Sequence, residues 1–421
     1  MRIRFYNGLV LTGSPAQPER AELWVKDDRI EYVGAPREDA GAFDREIDLA
    51  GDLVVPGFKN AHTHSAMTFL RSYADDLPLL DWLNQQVFPM EAKLTADDVY
   101  HLAKLAILEY LAAGITANFD MYMFAEANAA ASRDMGFRTV LCGCIHDFYN
   151  TPDGLRKMYE DYNKGGLVSC ILGFHAEYTC SESLLREISA IAHEYKAPVF
   201  AHNSESASEV AGCIERHGTT PTAYLDSLGL FDYGGGGYHC IHLFDEDKAI
   251  FRDRGLWAVS CPGSNTKLAS GIAPLTQLHD MGVHLALGTD GPASNNCLDM
   301  FREMFLATGL QKLANKDASA MAAETVFEMA TRGGALAMGL ADCDTLAPGK
   351  KADLTVLDMR RPNMQPVNAI VKNIVYSGST SNIRLTMIDG RILYENGSFF
   401  VGESADAIYE KANAIINRMR G

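Results

Sequence analysis

The sequence predicts an α/β fold: a (β/α)₈ TIM barrel with a small β-sandwich domain formed by the N- and C-terminal segments. In the middle of the 421-residue chain, eight short apolar segments alternate with helical segments. Apolar strands that alternate with helices are typical of a parallel sheet covered on both faces, and eight such units favour closure into a barrel. The two ends of the chain instead carry short segments of alternating apolar and polar residues, which are typical of a half-buried sheet.

The eight predicted barrel strands follow one another along the chain. They are LVVPGFKNAH (53–62), TANFDM (116–121), RTVLCGCIH (138–146), SCILGFHAE (169–177), APVFAHNSE (197–205), GYHCIHL (237–243), WAVSCP (257–262) and HLALGTD (284–290). Intervening segments such as SLLREISAIAHEYK (183–196) repeat apolar residues every three or four positions, which predicts amphipathic helices. We expect the four glycines at 234–237 to be a flexible approach to the sixth strand.

The predicted domain boundaries follow from this change of pattern. Residues 57–345 form the barrel, and residues 1–56 and 346–421 pair in space into the small domain. A short helix, ADAIYEKANAIINRMR (405–420), closes the chain. The barrel is therefore an insertion into the small domain.

Composition excludes several classes of partner. The formal net charge of −17 argues against a nucleic-acid or anionic-membrane surface, since either would need a basic face. No apolar run approaches the length of a membrane span, and the segment MRIRFYNGLVLTG (1–13) lacks a signal-peptide core. Nine cysteines without a CxxC motif favour reduced thiols in a cytoplasmic protein. We therefore expect a cytoplasmic protein without a nucleic-acid or membrane partner.

Histidines and one carboxylate end several of the predicted strands. In barrels of this type the active site lies at the C-terminal ends of the strands. These positions are occupied by His62, His64, His175, His202, His239 and Asp290. A single histidine is more often a core residue that is bonded to a backbone carbonyl, but five of them together with an aspartate favour a metal site.

The spacing of these residues selects a ligand set. His62 and His64 are two residues apart on one strand, so both side chains can face the barrel axis. Imidazole nitrogens suit zinc or iron, and a carboxylate can complete the set. We predict His62, His64, His202 and Asp290 as the ligands, which leaves room for water, as in catalytic sites.

Two further residues are predicted to act in catalysis. Glu205, three residues after His202, can take and return a proton, and its alternative role is a charge at a helix N-terminus. A regular strand cannot point both His239 and His242 inward, and His239 lies nearer the strand, so we expect His239 to face the site. His146 ends the third strand and lies on the same face without an assigned role.

These motifs resemble those of the amidohydrolase superfamily. PGFKNAHTH (56–64) resembles its strand-one motif, HNSE (202–205) its HxxE motif, HCIHL (239–243) its strand-six histidine and GTDGPASNN (288–296) its strand-eight aspartate. No lysine ends the fourth strand, where binuclear members carry a bridging carboxylated lysine; His175 stands there instead. The resemblance therefore implies a single divalent metal ion, zinc in the first instance and iron as the alternative.

Within that superfamily, three stretches resemble the 5-methylthioadenosine/S-adenosylhomocysteine deaminases, which are related to the triazine hydrolases. They cover residues 67–94, 261–274 and 289–301. The resemblance implies that Glu91 binds ribose hydroxyls, that Trp82 lines a nucleoside pocket and that His175 contacts the purine or ribose. A carboxylate suits a vicinal diol because each hydroxyl can donate to one oxygen. Without the resemblance, Glu91 would be a solvated helix end and Trp82 a core aromatic.

The chain also departs from this pattern. Ser65 and Ala66 replace the small residue and proline usual after the histidines, and Cys261 stands where asparagine is common. Relatives that accept S-adenosylhomocysteine use arginines near the third strand, but between residues 139 and 175 the only arginine is Arg156, in a helical segment. Adenosine, 5′-deoxyadenosine and 5′-methylthioadenosine are therefore favoured over S-adenosylhomocysteine as substrates.

The resemblance implies hydrolytic deamination of an adenine nucleoside to the inosine analogue and ammonia. Glu205 would transfer the proton, Asp290 would be both ligand and second base, and His239 would stabilise the developing oxygen. One alternative keeps this machinery for a free base or related heterocycle: guanine, a pterin, cytosine or an s-triazine. Another is a non-catalytic barrel kept for binding or assembly, against which the complete ligand set argues. A homo-oligomer is compatible with the resemblance.

Overall fold

The computed structural model describes residues 1–37, 41–73, 75–77 and 79–420. Two predicted regions extend beyond these residues. The small-domain segments include residues 38–40 and 421, and the 67–94 stretch includes residues 74 and 78, all of which lie outside the described residues.

The strands, in chain order, are β1 (Arg2–Thr12), β2 (Gln17–Lys26), β3 (Arg29–Gly34), β4 (Arg45–Asp48), β5 (Leu53–Pro56), β6 (Phe58–Thr63), β7 (Ile115–Asp120), β8 (Arg138–Cys142), β9 (Val168–Ala176), β10 (Val199–Asn203), β11 (Gly235–His239), β12 (Trp257–Ser260), β13 (His284–Leu287), β14 (Leu354–Leu357), β15 (Ile383–Ile388), β16 (Arg391–Glu395) and β17 (Ser398–Phe399).

The helices are α1 (Leu79–Trp82), α2 (Phe88–Glu91), α3 (Ala96–Ala112), α4 (Ala125–Met135), α5 (Pro152–Tyr162), α6 (Glu182–Tyr195), α7 (Ala207–His217), α8 (Pro221–Ser227), α9 (Asp245–Asp253), α10 (Pro262–Lys267), α11 (Leu275–Asp280), α12 (Met300–Asn315), α13 (Ala323–Glu328), α14 (Gly334–Ala337), α15 (Ile370–Ser377) and α16 (Ala405–Arg420). A π turn, Leu83–Val87, joins α1 to α2. Among the residues that the structure describes, no helix is long and apolar enough to cross a membrane.

The predicted barrel is confirmed. Strands β6 to β13 form one eight-stranded sheet in chain order, and each pairs in parallel with the next. Most residues of these strands are buried, as expected for a sheet that helices cover on one face and barrel side chains fill on the other. The C-terminal ends of all eight strands therefore open on the same side of the molecule.

The two ends of this sheet meet without a regular ladder. Among the described residues of β6 and β13, no backbone ladder pairs the two strands. The side chain of Asn60 instead accepts the Thr289 N–H at 2.8 Å and donates to Thr289 Oγ1 at 2.7 Å. One residue further along, the Asp290 N–H donates to the His62 carbonyl at 3.0 Å. We call this contact between the first and last barrel strands the seam.

Two details of the predicted strands were wrong. The first segment does not form one strand, because Leu53–Pro56 pairs with β1 and β14 in the other sheet and only β6 belongs to the barrel. The chain changes sheets at Gly57, where a Cβ atom would lie 2.1 Å from Thr116 Cγ2. The glycines at 234–237 are not a flexible approach, since Gly235 to Gly237 lie in β11. A Cβ atom at Gly235 would lie 1.9 Å from the Val199 carbonyl oxygen, so glycine permits this close strand contact.

The second sheet joins the two ends of the chain. Its strand order is β17–β16–β15–β14–β5–β1–β2–β3, with β4 beside β1. Strands from both ends share one buried apolar core, which includes Ile3, Phe5, Leu23, Val54, Leu354, Val356 and Met387. A buried ion pair ties this sheet to the barrel: Arg138 on β8 contacts Asp353 through Nε at 2.6 Å and Nη2 at 3.0 Å. The terminal helix α16 packs on α3 of the barrel.

Helix starts are set by local side-chain contacts. Thr95 and Asp98 form a capping box before α3, and Ser206 and Glu209 form another before α7. In each, the N-cap hydroxyl accepts a backbone N–H from the helix, and the carboxylate of the acidic residue accepts the N-cap N–H. These bonds satisfy donors that the helix itself cannot pair. The α7 capping box lies directly after β10, so it fixes the chain beside the C-terminal end of that strand.

Candidate metal centre

Four barrel strands bring histidines and one carboxylate into a single cluster. One ring nitrogen each of His62, His202 and His239 lie within 4.8 Å of one another. Ligand atoms of His62, His64 and Asp290 form a second group within the same 4.8 Å limit, so His62 belongs to both groups. The structure thus brings all four predicted metal ligands together with His239 at the C-terminal ends of the strands.

The His62 side chain lies at the centre of this cluster and is fully buried. Its ring stacks on Tyr238 with 3.7 Å between centroids, and its Nε2 lies 3.5 Å from Asp290 Oδ1. Neither ring nitrogen has a hydrogen-bond partner among the described residues. Because an unpaired buried polar group costs free energy, the cluster fits a cation that would bind this imidazole.

The outer nitrogens of the other histidines are held by acceptors. His64 Nδ1 contacts the Met121 carbonyl, and His202 Nδ1 lies 2.7 Å from the His175 carbonyl. His239 Nδ1 lies 2.8 Å from Asn265 Oδ1. Since a carbonyl oxygen only accepts, each Nδ1 donates its hydrogen and each Nε2 faces the cluster. Such contacts fix the tautomer in metal-binding histidines.

Burial and charge set the protonation of these rings. Burial lowers the pKa of His62 to about 3 and holds the pKa of His202 well below its usual value, so both are neutral imidazoles, the form that binds metal. Burial also acts on His64, but its contact with Asp290 Oδ1 at 3.2 Å outweighs it and raises the pKa of His64 to about 9. A cation that bound to His64 would therefore displace a proton from it.

The Asp290 carboxylate is oriented by two serines. It follows β13 in a left-handed conformation with a φ of 61°. Its Oδ2 accepts hydrogen bonds from Ser264 Oγ and Ser294 Oγ, both at 2.7 Å. These bonds leave Oδ1 facing His62 and His64.

Glu205 lies two residues beyond the end of β10. Its Oε2 is 3.8 Å from His239 Nε2, and the charges of Asp290 and His64 also act on its carboxyl group. Burial raises the pKa of Glu205. The residues that cap α7 are Ser206 and Glu209, so Glu205 precedes the helix and its side chain faces the histidine cluster.

Of the three predicted substrate-binding residues, His175 lies beside the histidine cluster, the charge of His64 acts on Glu91, and Trp82 belongs to an apolar cluster. The His175 ring centroid is 4.9 Å from that of His202, its Nδ1 lies 3.0 Å from Thr179 Oγ1, and burial lowers its pKa to about 3. Glu91 ends α2, where burial raises its pKa and the charge of His64 opposes that rise. Trp82 is buried in an apolar cluster with Met67, Phe69, Val87, Met90 and Tyr122.

Three other residues considered from the sequence lie further out. The His146 ring centroid is 6.0 Å from that of His175, and its Nδ1 accepts the Phe148 N–H at 3.3 Å. His242 donates from Nε2 to the Ser270 carbonyl at 2.9 Å, so it belongs to the loop layer. Arg156 lies on α5, where it pairs with Asp153 and Glu194 in the outer helical layer.

Sequence reasoning missed several residues that shape the site. They are Tyr122, Tyr238, Ser264, Asn265 and Ser294. Ser264, Asn265 and Ser294 lie within the stretches 261–274 and 289–301, whose resemblance to the deaminases could have indicated these residues. Tyr238 precedes His239 directly, but nothing in its spacing indicates that its ring stacks on His62.

The chain is similar in sequence and structure to known proteins. The Amidohydrolase family model matches residues 53–393. A 5-methylthioadenosine/S-adenosylhomocysteine deaminase of Syntrophobacter fumaroxidans is 39% identical, with coverage of 98% of this chain and 97% of that protein. One from Moorella thermoacetica is 40% identical, with 89% of each chain covered. The crystal structure of an adenosine deaminase from Xanthomonas campestris with bound zinc superposes with a TM-score of 0.94 at 32% identity, covering 99% of this chain and 98% of that one.

Proposed function

The chain belongs to the amidohydrolase family, and on that basis we propose that it hydrolytically deaminates adenine nucleosides to the inosine analogue and ammonia. The substrates we propose are adenosine, 5′-deoxyadenosine and 5′-methylthioadenosine. One observation carries the proposal: a cluster of four metal-type ligands has a buried carboxyl group, Glu205, beside it on the open side of the barrel. Full-length similarity to deaminases supports it further.

His62, His64, His202 and Asp290 would hold a single divalent cation, for which we propose zinc, with iron as the alternative. When bound, such a cation would act as a Lewis acid that lowers the pKa of water toward neutrality. Its ligands come from strands β6, β10 and β13 and the residues directly after them, so the barrel rather than a flexible loop fixes their spacing.

Glu205 would transfer the proton. Its carboxyl group would take a proton from the attacking water and deliver it to the ring nitrogen next to C6. Burial raises the pKa of Glu205 above the usual value of a carboxyl group, which favours uptake of the proton from water.

His239 and Asp290 would act on the oxygen that adds to C6. Burial lowers the pKa of His239, but the nearby carboxylates of Glu205 and Asp290 outweigh burial and raise it. A protonated Nε2 can therefore donate to the developing oxygen, while Nδ1 remains bonded to Asn265. Asp290 Oδ1, which does not bond to the two serines, would take the second proton from the added oxygen and pass it to the amino group, which leaves as ammonia.

The substrate would lie against the residues that border the cluster. Glu91 would accept the ribose hydroxyls, and His175 would contact the purine or ribose, with Trp82 in the wall of the pocket. Arg156 is engaged by Asp153 and Glu194 in the outer layer. We therefore propose that S-adenosylhomocysteine, which carries a charged amino-acid tail, is a poorer substrate than the uncharged nucleosides.

The second candidate is deamination or hydrolysis of a free base or heterocycle such as guanine, a pterin, cytosine or an s-triazine. A guanine deaminase from C. acetobutylicum and the atrazine chlorohydrolase TrzN from Arthrobacter aurescens share the fold at 20% and 21% identity. The partly buried carboxyl group of Glu91 favours a nucleoside, because a free base has no diol to donate to it. A non-catalytic role would leave the complete ligand set without a purpose.

The proposed setting is a cytoplasmic enzyme with a small-molecule nucleoside substrate and no nucleic-acid or membrane partner. The nine cysteines are all free thiols, as a reducing compartment would maintain them. The net charge of −17 disfavours polyanionic partners.

An ammonia-release screen tests the proposal. The zinc-loaded protein is assayed with adenosine, 5′-deoxyadenosine, 5′-methylthioadenosine, S-adenosylhomocysteine, guanine, cytosine, a pterin and an s-triazine. We expect kcat/KM to be highest for an uncharged adenine nucleoside. A higher value for a free base would favour the second candidate, and release from none of these compounds would refute a deaminase.

A further inference from the structure

The carboxyl group of Glu209 accepts backbone N–H groups from three consecutive residues. Its Oε1 accepts the Ser204 N–H at 2.8 Å, and its Oε2 accepts the Glu205 N–H at 2.7 Å and the Ser206 N–H at 3.3 Å. These residues form the link between β10 and α7, and the middle one is Glu205. The backbone of the residue proposed to transfer the proton is thus held directly by Glu209.

The contact exceeds what a helix cap requires. A capping box needs only the N-cap N–H, which here is that of Ser206, and this is the longest of the three bonds. The capping box of α3 shows the ordinary case: Asp98 accepts the N–H and hydroxyl of Thr95 and no backbone N–H before it among the described hydrogen bonds. In α7 the two shorter bonds lie outside the helix, on the segment that carries Glu205.

The same segment connects to the turn after His239. Ser204 has a left-handed backbone with a φ of 53°, a conformation that costs a non-glycine residue free energy. Its carbonyl accepts the N–H groups of Ile241 at 3.1 Å and His242 at 2.9 Å. One strained residue, bonded to Glu209 on its amide side, therefore holds the turn behind His239 on its carbonyl side.

Burying the Glu209 carboxyl group costs free energy that a purely structural role would not require. Burial, reinforced by repulsion from Glu205, raises the pKa of Glu209 to about 7. No cationic side chain forms an ion pair with Glu209 among the described residues. A buried acid stabilised by backbone N–H groups alone is a poor choice for stability, and such costs are typically kept where function needs them.

We propose that Glu209 is a positioning residue for the reaction. It fixes the orientation of Glu205 and, through Ser204, the position of the turn that follows His239. The inference rests on the proposed function. Glu209 does not touch the reacting atoms, so its loss would lower the rate of proton transfer without altering the cation ligands or the groups that border the substrate. A small misplacement of a reacting group can cost on the order of 10²-fold in rate.

Glu209→Ala, Glu209→Gln and Asp98→Ala test this with adenosine or the best nucleoside from the screen. For Glu209→Ala we expect kcat to fall on the order of 10²-fold, with KM and bound metal per chain unchanged. Glu209→Gln should give an intermediate kcat, because its amide oxygen still accepts N–H groups on one side. Asp98→Ala removes the matched capping box of α3 and should lower Tm while leaving kcat unchanged.

The outcomes separate the inference from its premise. If both Glu209 variants keep wild-type kcat, or if Asp98→Ala loses kcat as much as Glu209→Ala does, Glu209 has no special positioning role. A Glu209→Ala chain that fails to fold leaves Glu209→Gln, whose kcat must then fall at unchanged KM. If the wild-type protein deaminates no nucleoside, the proposed function fails and this inference fails with it.

Discussion

The phenol hydroxyl of Tyr122 donates a 2.7 Å hydrogen bond to the Glu91 carboxyl group beside the histidine cluster. This bond engages one oxygen of Glu91, and in the proposed complex the other oxygen would accept a substrate hydroxyl. Hydrogen bonds to a charged group contribute about 1.5–3 kcal/mol, so we expect Glu91→Ala to raise the KM of adenosine by roughly 10- to 100-fold with little change in kcat. Steady-state kinetics check this, with the exposed Asp81→Ala on the same segment as control. An unchanged KM in Glu91→Ala would exclude a ribose contact.

Glu205→Gln should separate metal binding from chemistry. The amide preserves shape but cannot accept the proton, and general acid–base groups contribute on the order of 10²–10⁴-fold to rate. We expect that loss in kcat together with unchanged metal content, measured by ammonia release and elemental analysis. The exposed Glu215→Gln on α7 serves as control. Near-normal turnover by Glu205→Gln would assign the proton transfer to another group.

Removal of the metal should reduce both activity and stability. Because the cation would bind the folded ligand set, saturation at about 100 times Kd adds roughly 2.7 kcal/mol to the free energy of unfolding. We expect a chelator to abolish ammonia release and lower Tm, and added Zn²⁺ to restore both. His202→Ala should bind less metal, whereas His101→Ala, on α3, should bind as the wild type does. Equal metal content in both variants would contradict the assigned ligands.

The ion pair between Arg138 and Asp353 should be a major contributor to stability. Both side chains are buried, and Arg138 also contacts Asp389 at 3.0 Å. Removing one partner leaves an uncompensated buried charge, which costs about 3–5 kcal/mol. Arg138→Met should therefore lower Tm and the urea midpoint strongly. The exposed pair of Arg186 and Glu182 gives the control, since Arg186→Met should cost less than about 1 kcal/mol. Similar losses in the two variants would mean that the buried pair adds nothing specific.

Glu303 should make stability depend on pH. It is fully buried between the Gly263 N–H at 2.8 Å and the Asn295 side-chain amide at 2.7 Å, and burial raises its pKa from 4.5 to about 8. The folded state therefore binds a proton that the unfolded state releases. Its contribution is fully present below 4.5 and is lost as pH rises toward about 8.

Glu303→Gln removes this titration, so its Tm should fall less than that of the wild type between about pH 5 and about pH 8. Thermal melts across that range provide the measurement, with the exposed Glu187→Gln as control. A Glu303→Gln profile parallel to the wild type would show that Glu303 does not carry the pH dependence.

Short-range patterns predicted the barrel because its strands are local. Each buried strand is a short apolar segment, and the polar residue that ends it points to the one face where all parallel strands finish. His62 and His64 could be paired from their spacing alone, and His202 and Asp290 from their places at strand ends. Their convergence in the structure follows from the topology and not from any contact between neighbours in sequence.

The remaining features depend on contacts between distant parts of the chain. At Gly57, where the chain changes sheets, the close approach of Thr116 leaves no room for a side chain. In the same way, the close approach of Val199 requires glycine at position 235 in β11. Ser264 on α10 and Ser294 in the segment after β13 orient Asp290 from two separate elements. A single sequence does not show which distant residues are in contact, so the residues that orient the clustered side chains were missed, whereas the four predicted ligands do come together in the structure.

The seam between β6 and β13 joins residues from opposite ends of the barrel sequence. His62 and Asp290 lie on its two sides, and Thr63 Oγ1 also donates across it to the Asp290 carbonyl, between residues 227 positions apart. The site is thus assembled from the first and the last barrel strands in the chain, β6 and β13. The complete proposed ligand set would therefore exist only after translation has passed residue 290 and the barrel has closed, so loading of the proposed cation would follow synthesis.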